Sequence, residues 1–364
     1  MAEVTGIFSA RMIADLNANG SINISAPFDD DQIQPASLDL RLGDRAFRVR
    51  ASFLPGPGSS VVDRIEELKL HEIDLSVGSV LERGCVYIVP LMESLNLPQA
   101  VSATTNPKSS TGRLDIFTRV ITDQGRAFDT VPAGYEGKLY LEVSPRTFPV
   151  LVRQGSRLSQ IRFRDGDTRL SVEEHQALHA KETLVFDENA PVDNGVALSI
   201  DLKGDDRGGL IGYRSKRHTA VVDVDKKAML DVLDFWEPIY DRDNGELILD
   251  PDEFYILVSR EAVHVPPDYA AEMVPFDPLV GEFRVHYAGF FDPGFGNAGA
   301  AGEGSRAVLE VRSREVPFLV EHGQTIGRLI YERMAERPEN LYGSDLGSNY
   351  QGQHLKLSKH FRQN

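Results

Sequence analysis

Residues 80–98 read VLERGCVYIVPLMESLNLP, and residues 248–266 read ILDPDEFYILVSREAVHVP. Tyr87 aligns with Tyr255, Glu93 with Glu261 and Pro98 with Pro266, all at one offset of 168 residues. The same offset carries GKLYLEV at 137–143 onto SRAVLEV at 305–311, so that Glu142 falls on Glu310. It also carries Gly155, in VRQGSRLSQIRF, onto Gly323, in VEHGQTIGRLIY. Upstream, Ser37-Leu38-Asp39-Leu40 matches Ser199-Ile200-Asp201-Leu202 at a slightly shorter spacing. Chance produces one such pair. Several in the same order at nearly one spacing argue for a duplicated unit, and so long a period means two domains rather than a solenoid.

Each unit reads mainly as strands. YIVPL, KLYLEV, FYILVS, AVLEV and FLVEHG are short β-branched and aromatic runs bounded by Gly, Pro and Asp. Helix signals are few. Ser9 can N-cap a segment through about Leu16 that Gly20 ends, and VEEHQALHAK at 172–181 reads as helical. The breaker-rich run DENAPVDNG at 187–195 follows it, which sets expected domains of 1–185 and 186–364. The expected fold class is mainly β, with two tandem barrel-like or jelly-roll domains and few short helices.

A chain of 364 residues is comfortable for two such domains. The single cysteine, Cys85, excludes an intrachain disulfide and a cysteine-based zinc site. The N-terminal MAEVTGIFSARMIADL does not read as a signal peptide, and no apolar run approaches the roughly 20 residues of a membrane span. These points favour the cytoplasm and no membrane partner. The formal net charge of −16 repels polyanions, which argues against a nucleic-acid partner. A small phosphate ligand stays open, because screening within about 8 Å makes local cations decisive.

Four segments can carry chemistry. In Asn106-Pro-Lys108-Ser109-Ser110-Thr-Gly-Arg113, two hydroxyls and two cations lie close together beside a glycine, a composition that suits a phosphate. Composition alone favours a polar surface turn, and the aligned residues 276–281 hold neither hydroxyl nor cation. Glu142 and Glu310 each sit in an alternating strand, on the face opposite the leucines and valines. A carboxylate so placed can be a general base if it faces a cleft, or an ordinary solvated group if it does not. In Tyr287-Ala288-Gly289-Phe290-Phe291-Asp292-Pro293-Gly294-Phe295, Asp-Pro-Gly is a turn signature, and the small Ala288-Gly289 pair lets backbone approach a flat ring. The polar, glycine-containing tail from Tyr342 to Gln353 can be a closing lid or a frayed end.

These segments, in this order, resemble 2′-deoxycytidine 5′-triphosphate (dCTP) deaminases, a family of the trimeric dUTPase-like β fold. The opening Pro35-Ala36-Ser37-Leu38-Asp39-Leu40-Arg41-Leu42-Gly43 also fits. The resemblance implies that Ser109, Ser110 and Arg113 bind the triphosphate, with Lys108 where the family usually has arginine. It implies that Ala288, Gly289 and Asp292 belong to the segment cradling base and sugar, and that Tyr342 and Gln353 are ligand contacts in the tail. The family's catalytic glutamate matches Glu142 in one copy and Glu310 in the other. Family members are usually about half this length, so the likeness is to a longer, fused form. There are departures: Ile121-Thr-Asp123-Gln-Gly-Arg126-Ala-Phe-Asp129-Thr-Val-Pro stands in place of a clean Asp-Pro-Gly segment in the first copy, and Asn349 where the family has lysine. The phosphate motif is intact only in copy one and the base segment is cleanest in copy two, so a composite site is expected. A homo-oligomer is the family habit.

The implied reaction adds water at carbon 4 of cytosine and expels ammonia, giving dUTP. Zinc deaminases need a cysteine-rich signature that this chain lacks, so a glutamate would activate the water without a catalytic metal. Mg²⁺ is expected only as the companion of the triphosphate. The alternatives are a dUTP pyrophosphatase, a bifunctional deaminase and pyrophosphatase, and a non-catalytic nucleotide-binding protein of the same fold.

Overall fold

The structure, a computed structural model, describes residues 5–187, 190–204, 209–242, 244–275, 283–286, 289–296, 304–313, 315–343 and 355–362. By contacts it divides into two compact units. The first holds Met1–Thr168, His218–Leu230 and His360–Asn364, and the second holds Arg169–Arg217 and Asp231–Lys359.

The two main sheets of each unit are antiparallel and have the same strand order. In the first unit one sheet runs Ile116–Thr122, Glu136–Pro145, Val86–Asn96, Arg45–Val49, Lys69–Asp74. In the second the corresponding order is Phe283–His286, Ser305–Ser313, Phe254–Val263, Leu210–Ser215, Trp236–Tyr240. The other main sheet runs Thr130–Val131, Val101–Pro107, Arg157–Asp165, Ser37–Arg41, Ile33–Gln34 in the first unit. Its counterpart runs Phe290–Phe291, Tyr269–Pro275, Thr325–Arg333, Gly195–Ser199, Val192–Asp193. The central strands are buried on both faces. Leu139, Leu141 and Val143 bury one face of their strand while Tyr140 and Glu142 are buried on the other. Leu257, Leu309, Val311, Leu329 and Tyr331 belong to the core of the second unit.

The residues that repeat along the chain hold these sheets together. The Tyr87 hydroxyl accepts the Glu82 N–H at 3.0 Å, and the Tyr255 hydroxyl accepts the Asp250 N–H at 3.0 Å. Glu93 accepts the Arg41 N–H at 2.9 Å and Glu261 accepts the Ser199 N–H at 2.7 Å, each carboxylate closing a backbone donor inside its unit. Arg41 and Ser199 are therefore structural counterparts. The ladders agree: Leu38 faces Ile161 and Val196 faces Leu329, and the same bulge falls between Leu40 and Arg41 in one and between Leu198 and Ser199 in the other. It follows that the counterpart of Asp39 is Ala197 and not Asp201, so the four-residue sequence match between them does not mark equivalent places.

Ala10–Ala18 is helical, with the Ser9 side chain accepting the Met12 N–H at 3.3 Å. Val172–Glu182 is helical behind a capping box of Ser171 and Glu174. A further helix, Val61–Leu68, goes beyond the sequence expectation. Ser60 and Asp63 close a capping box there, and Val61 and Ile65 turn into the core. No helix among the described residues is long and apolar enough to cross a membrane.

Candidate active site

The segment following the Val101–Pro107 strand is a single tight turn. The Lys108 N–H donates to Leu158 O at 3.0 Å, which fixes where the turn leaves the sheet. The N–H groups of Thr111 and Gly112 both return to Lys108 O, and that of Arg113 returns to Ser109 O. Ser110 is 6% exposed and Arg113 4%, whereas Lys108 and Ser109 keep more of their surface in solvent. This is not the surface turn that composition favours, because the hydroxyl and guanidinium are packed into the unit. The Lys108 ammonium pairs with the Asp39 carboxylate, and Arg157 lies 3.4 Å from the same oxygen.

Glu142, 1% exposed, faces Arg119 across the neighbouring strand. Its Oε1 accepts from Arg119 Nη2 at 2.7 Å and Nε at 3.0 Å. The guanidinium lies 3.5 Å from the Phe128 ring centroid and 4.7 Å from that of Phe117, and also donates to the Ser52 hydroxyl. Both bonds fall on Oε1, and Glu142 Oε2 has no hydrogen-bond partner among the described residues. Sequence reading did not find Arg119. The only signal was its place in FTRVIT, an alternating strand beside LEV, and no sequence rule gives the register between two strands.

Asp129 completes the cluster. It keeps part of its surface in solvent but turns its carboxylate inward, where Oδ1 accepts the Val120 N–H at 2.8 Å and the Thr105 hydroxyl at 2.7 Å. Burial pushes this carboxyl up to about 6 from its ordinary 3.8, with Glu142 adding to the rise, while the two hydrogen bonds and Arg119 oppose it. A carboxyl raised on folding favours the protonated state. Its contribution to stability is present at low pH and lost as pH rises through about 6. Asp129→Asn keeps an acceptor for both donors and removes the charge. It is expected to be more stable than the parent by about 1–2 kcal/mol above neutral pH, with the difference closing in acid. Thermal unfolding across pH reads this directly.

In the second unit Glu310, 5% exposed, stands on Ser305–Ser313 between the buried Leu309 and Val311. Neither glutamate is thus on a solvated strand face. The surroundings of the two differ. The Thr105 N–H donates to Asp129 O at 3.0 Å and the Met273 N–H to Gly289 O at 3.1 Å, so Gly289 stands where the first unit has Asp129. The ladder position opposite Glu310 is His286, where the first unit has Arg119.

Asp292-Pro293-Gly294-Phe295 forms a turn closed by the Phe295 N–H on Asp292 O at 3.1 Å. The Tyr342 N–H donates to Pro293 O at 2.9 Å, and the Tyr342 ring lies 5.9 Å from that of Phe295. Gly294 has φ +95°, and a side chain there would meet Leu341 Cβ at 2.9 Å, so glycine permits the approach. The structure thus brings Asp292 and Tyr342 to one turn. Ala288 and Gln353 lie outside the described residues, as do the tail residues around Asn349 and residues 276–281, which align with the phosphate segment. Among the described residues no group of three or more His, Cys, Asp or Glu side chains could hold a metal ion.

Two family models cover nearly the whole chain. One for the 2′-deoxycytidine 5′-triphosphate deaminase N-terminal domain matches residues 4–167, and one for the C-terminal domain of the same enzyme matches residues 171–361. The chain belongs to the dCTP deaminase family. A crystal structure of the dCTP deaminase from Agrobacterium tumefaciens is 69% identical, with a TM-score of 0.88, covering 91% of this chain and 99% of that one. Among shorter relatives, "dCTP deaminase, dUMP-forming" of Beutenbergia cavernae is 32% identical over 138 residues, 38% of this chain and 68% of its own. The "dCTP deaminase" of Halorubrum lacusprofundi is 31% identical over 172 residues, 43% of this chain and 76% of its own. As a member of the dCTP deaminase family the chain is an enzyme, and its fold is the mainly β one that its strand patterns predict.

Proposed function

We propose that the chain deaminates dCTP, with Glu310 as the general base and no catalytic metal, and with the triphosphate held by Ser109, Ser110, Arg113 and Lys108. The observation that carries the choice of base is the contrast between the two glutamates. Glu142 has the Asp129 carboxyl nearby, whereas at the position of Asp129 the second unit has Gly289, which brings no carboxyl there. Glu310 takes one proton from water as it adds to carbon 4 and delivers it to the departing amine, while the proton of the added hydroxyl passes to ring N3, so that ammonia leaves and a carbonyl remains. The Gly289–Asp292 backbone reads the base edge, Ala288 lets the ring approach, and Tyr342 with Gln353 closes over the sugar. The substrate is the Mg²⁺ complex, whose ion neutralises phosphate charge with few protein ligands. The shared strand order supports descent of both units from one copy, with the base chemistry retained in the second.

A second reading has one support. Several relatives carry the name "dCTP deaminase, dUMP-forming", which extends the reaction to loss of pyrophosphate. Incubation with dCTP and Mg²⁺, with all products measured, separates the two. The first reading expects ammonia and dUTP in equal amounts without pyrophosphate. Ammonia with dUMP and pyrophosphate would establish the second, and nucleotide binding without ammonia would overturn both.

A further inference from the structure

We propose that Asp39 is a positioning residue for Lys108, fixing its ammonium so that the remaining N–H groups meet phosphoryl oxygens. This rests on the phosphate reading of the Lys108–Arg113 turn.

Asp39 lies in the middle of the Ser37–Arg41 strand and is 1% exposed. It faces Gln160, which faces Asn106, so three buried polar residues cross adjacent strands immediately before the turn begins. A carboxylate so deep is costly unless paired. Its partners are Lys108 and, at 3.4 Å, Arg157, which is itself paired with Asp31 at 2.8 Å. Both cations of the Asp39 pair meet Oδ2, and Oδ1 has no hydrogen-bond partner among the described residues. A buried carboxylate oxygen without a donor calls for an explanation.

The second unit supplies an internal comparison. The ladder puts Ala197 in the place of Asp39, Arg328 in that of Gln160 and Val274 in that of Asn106. The residue aligned with Lys108 in that copy is Phe276. The carboxylate is therefore present where the lysine is present and absent where it is absent. The physical reason is the behaviour of a lysine head. An ammonium has three donors on a flexible stem, and fixing that stem costs a ligand affinity unless it is fixed beforehand. One donor committed to Asp39 sets the position and leaves two for oxygen ligands, while Arg157 keeps Asp39 compensated throughout.

The test is calorimetric binding of inorganic tripolyphosphate to the full chain, together with dCTP turnover. Asp39→Asn is expected to weaken tripolyphosphate about tenfold or more and to raise the KM for dCTP similarly, with kcat changed by less than about threefold. Lys108→Met is expected to weaken binding at least as much, and the double variant no further, since both remove one interaction. Unchanged affinity in Asp39→Asn would overturn the proposal. So would a loss that persists undiminished in the Lys108→Met background, which would mark Asp39 as structural. Unchanged affinity in Lys108→Met would overturn the phosphate reading of Lys108 itself, a distinguishable failure. If Asp39→Asn does not fold, Asp39→Glu carries the same comparison. It keeps the charge but displaces the ammonium, and unaltered tripolyphosphate binding would again overturn the proposal.

Discussion

Glu310→Gln is expected to lower ammonia release from dCTP by about 10²–10⁴-fold, with dCTP binding retained within a few-fold. The glutamine preserves shape and hydrogen bonding and removes only the capacity to take a proton. Leu309 and Val311, fully buried on either side, hold the strand in place, so the substitution leaves the geometry intact. The loss should therefore fall on kcat. An equal loss of binding would instead mean that the charge of Glu310 holds the substrate. Glu142→Gln should behave differently. It weakens the Arg119 pair, leaving a guanidinium between two aromatic rings without its countercharge. The expected result is a stability loss of about 1–3 kcal/mol with near-normal turnover per folded molecule.

The second large effect concerns the phosphate end. Arg113→Lys and Ser110→Ala should each reduce kcat/KM for dCTP by about ten- to a hundredfold, since a charge-assisted hydrogen bond contributes about 1.5–3 kcal/mol. Deoxycytidine supplies the control because it presents the same base without phosphates. Its slow deamination should be the same in parent and variants, so the preference for the triphosphate collapses while the chemistry is unchanged. An equal loss on deoxycytidine would show that these residues act on the fold or the reacting end instead. Arg113 is buried, so lysine, which keeps the charge and most of the volume, is the informative substitution and alanine is not.

Much of the fold was legible because strand patterning is local. The runs around Tyr87, Tyr255, Glu142 and Glu310 are strands, and the Ser9 and Ser171 caps mark real helices. The helix at Val61–Leu68 was missed although Ser60 and Asp63 form a capping box, because a run with Asp at that position in place of Glu or Gln is a weaker helix-start signal. Registers were not legible. Asp39 and Asp201 lie in four-residue strings alike at three positions, yet one pairs with Lys108 and the other with Arg306, and only the ladder shows that Ala197 replaces Asp39. The same limit hid Arg119 from Glu142, since cross-strand partners are set by tertiary pairing. At the candidate site, residue types singled out the Lys108–Arg113 segment and the two glutamates, which the structure shows to be buried or partly buried. They did not reveal that Glu142 is paired with Arg119.

The most direct measurement is single-turnover ammonia release from dCTP by Glu142→Gln and Glu310→Gln, side by side and normalised to folded protein. Near-parental release from Glu142→Gln with almost none from Glu310→Gln is the expected pair of results. Release lost in Glu142→Gln and kept in Glu310→Gln would contradict the assignment of the base.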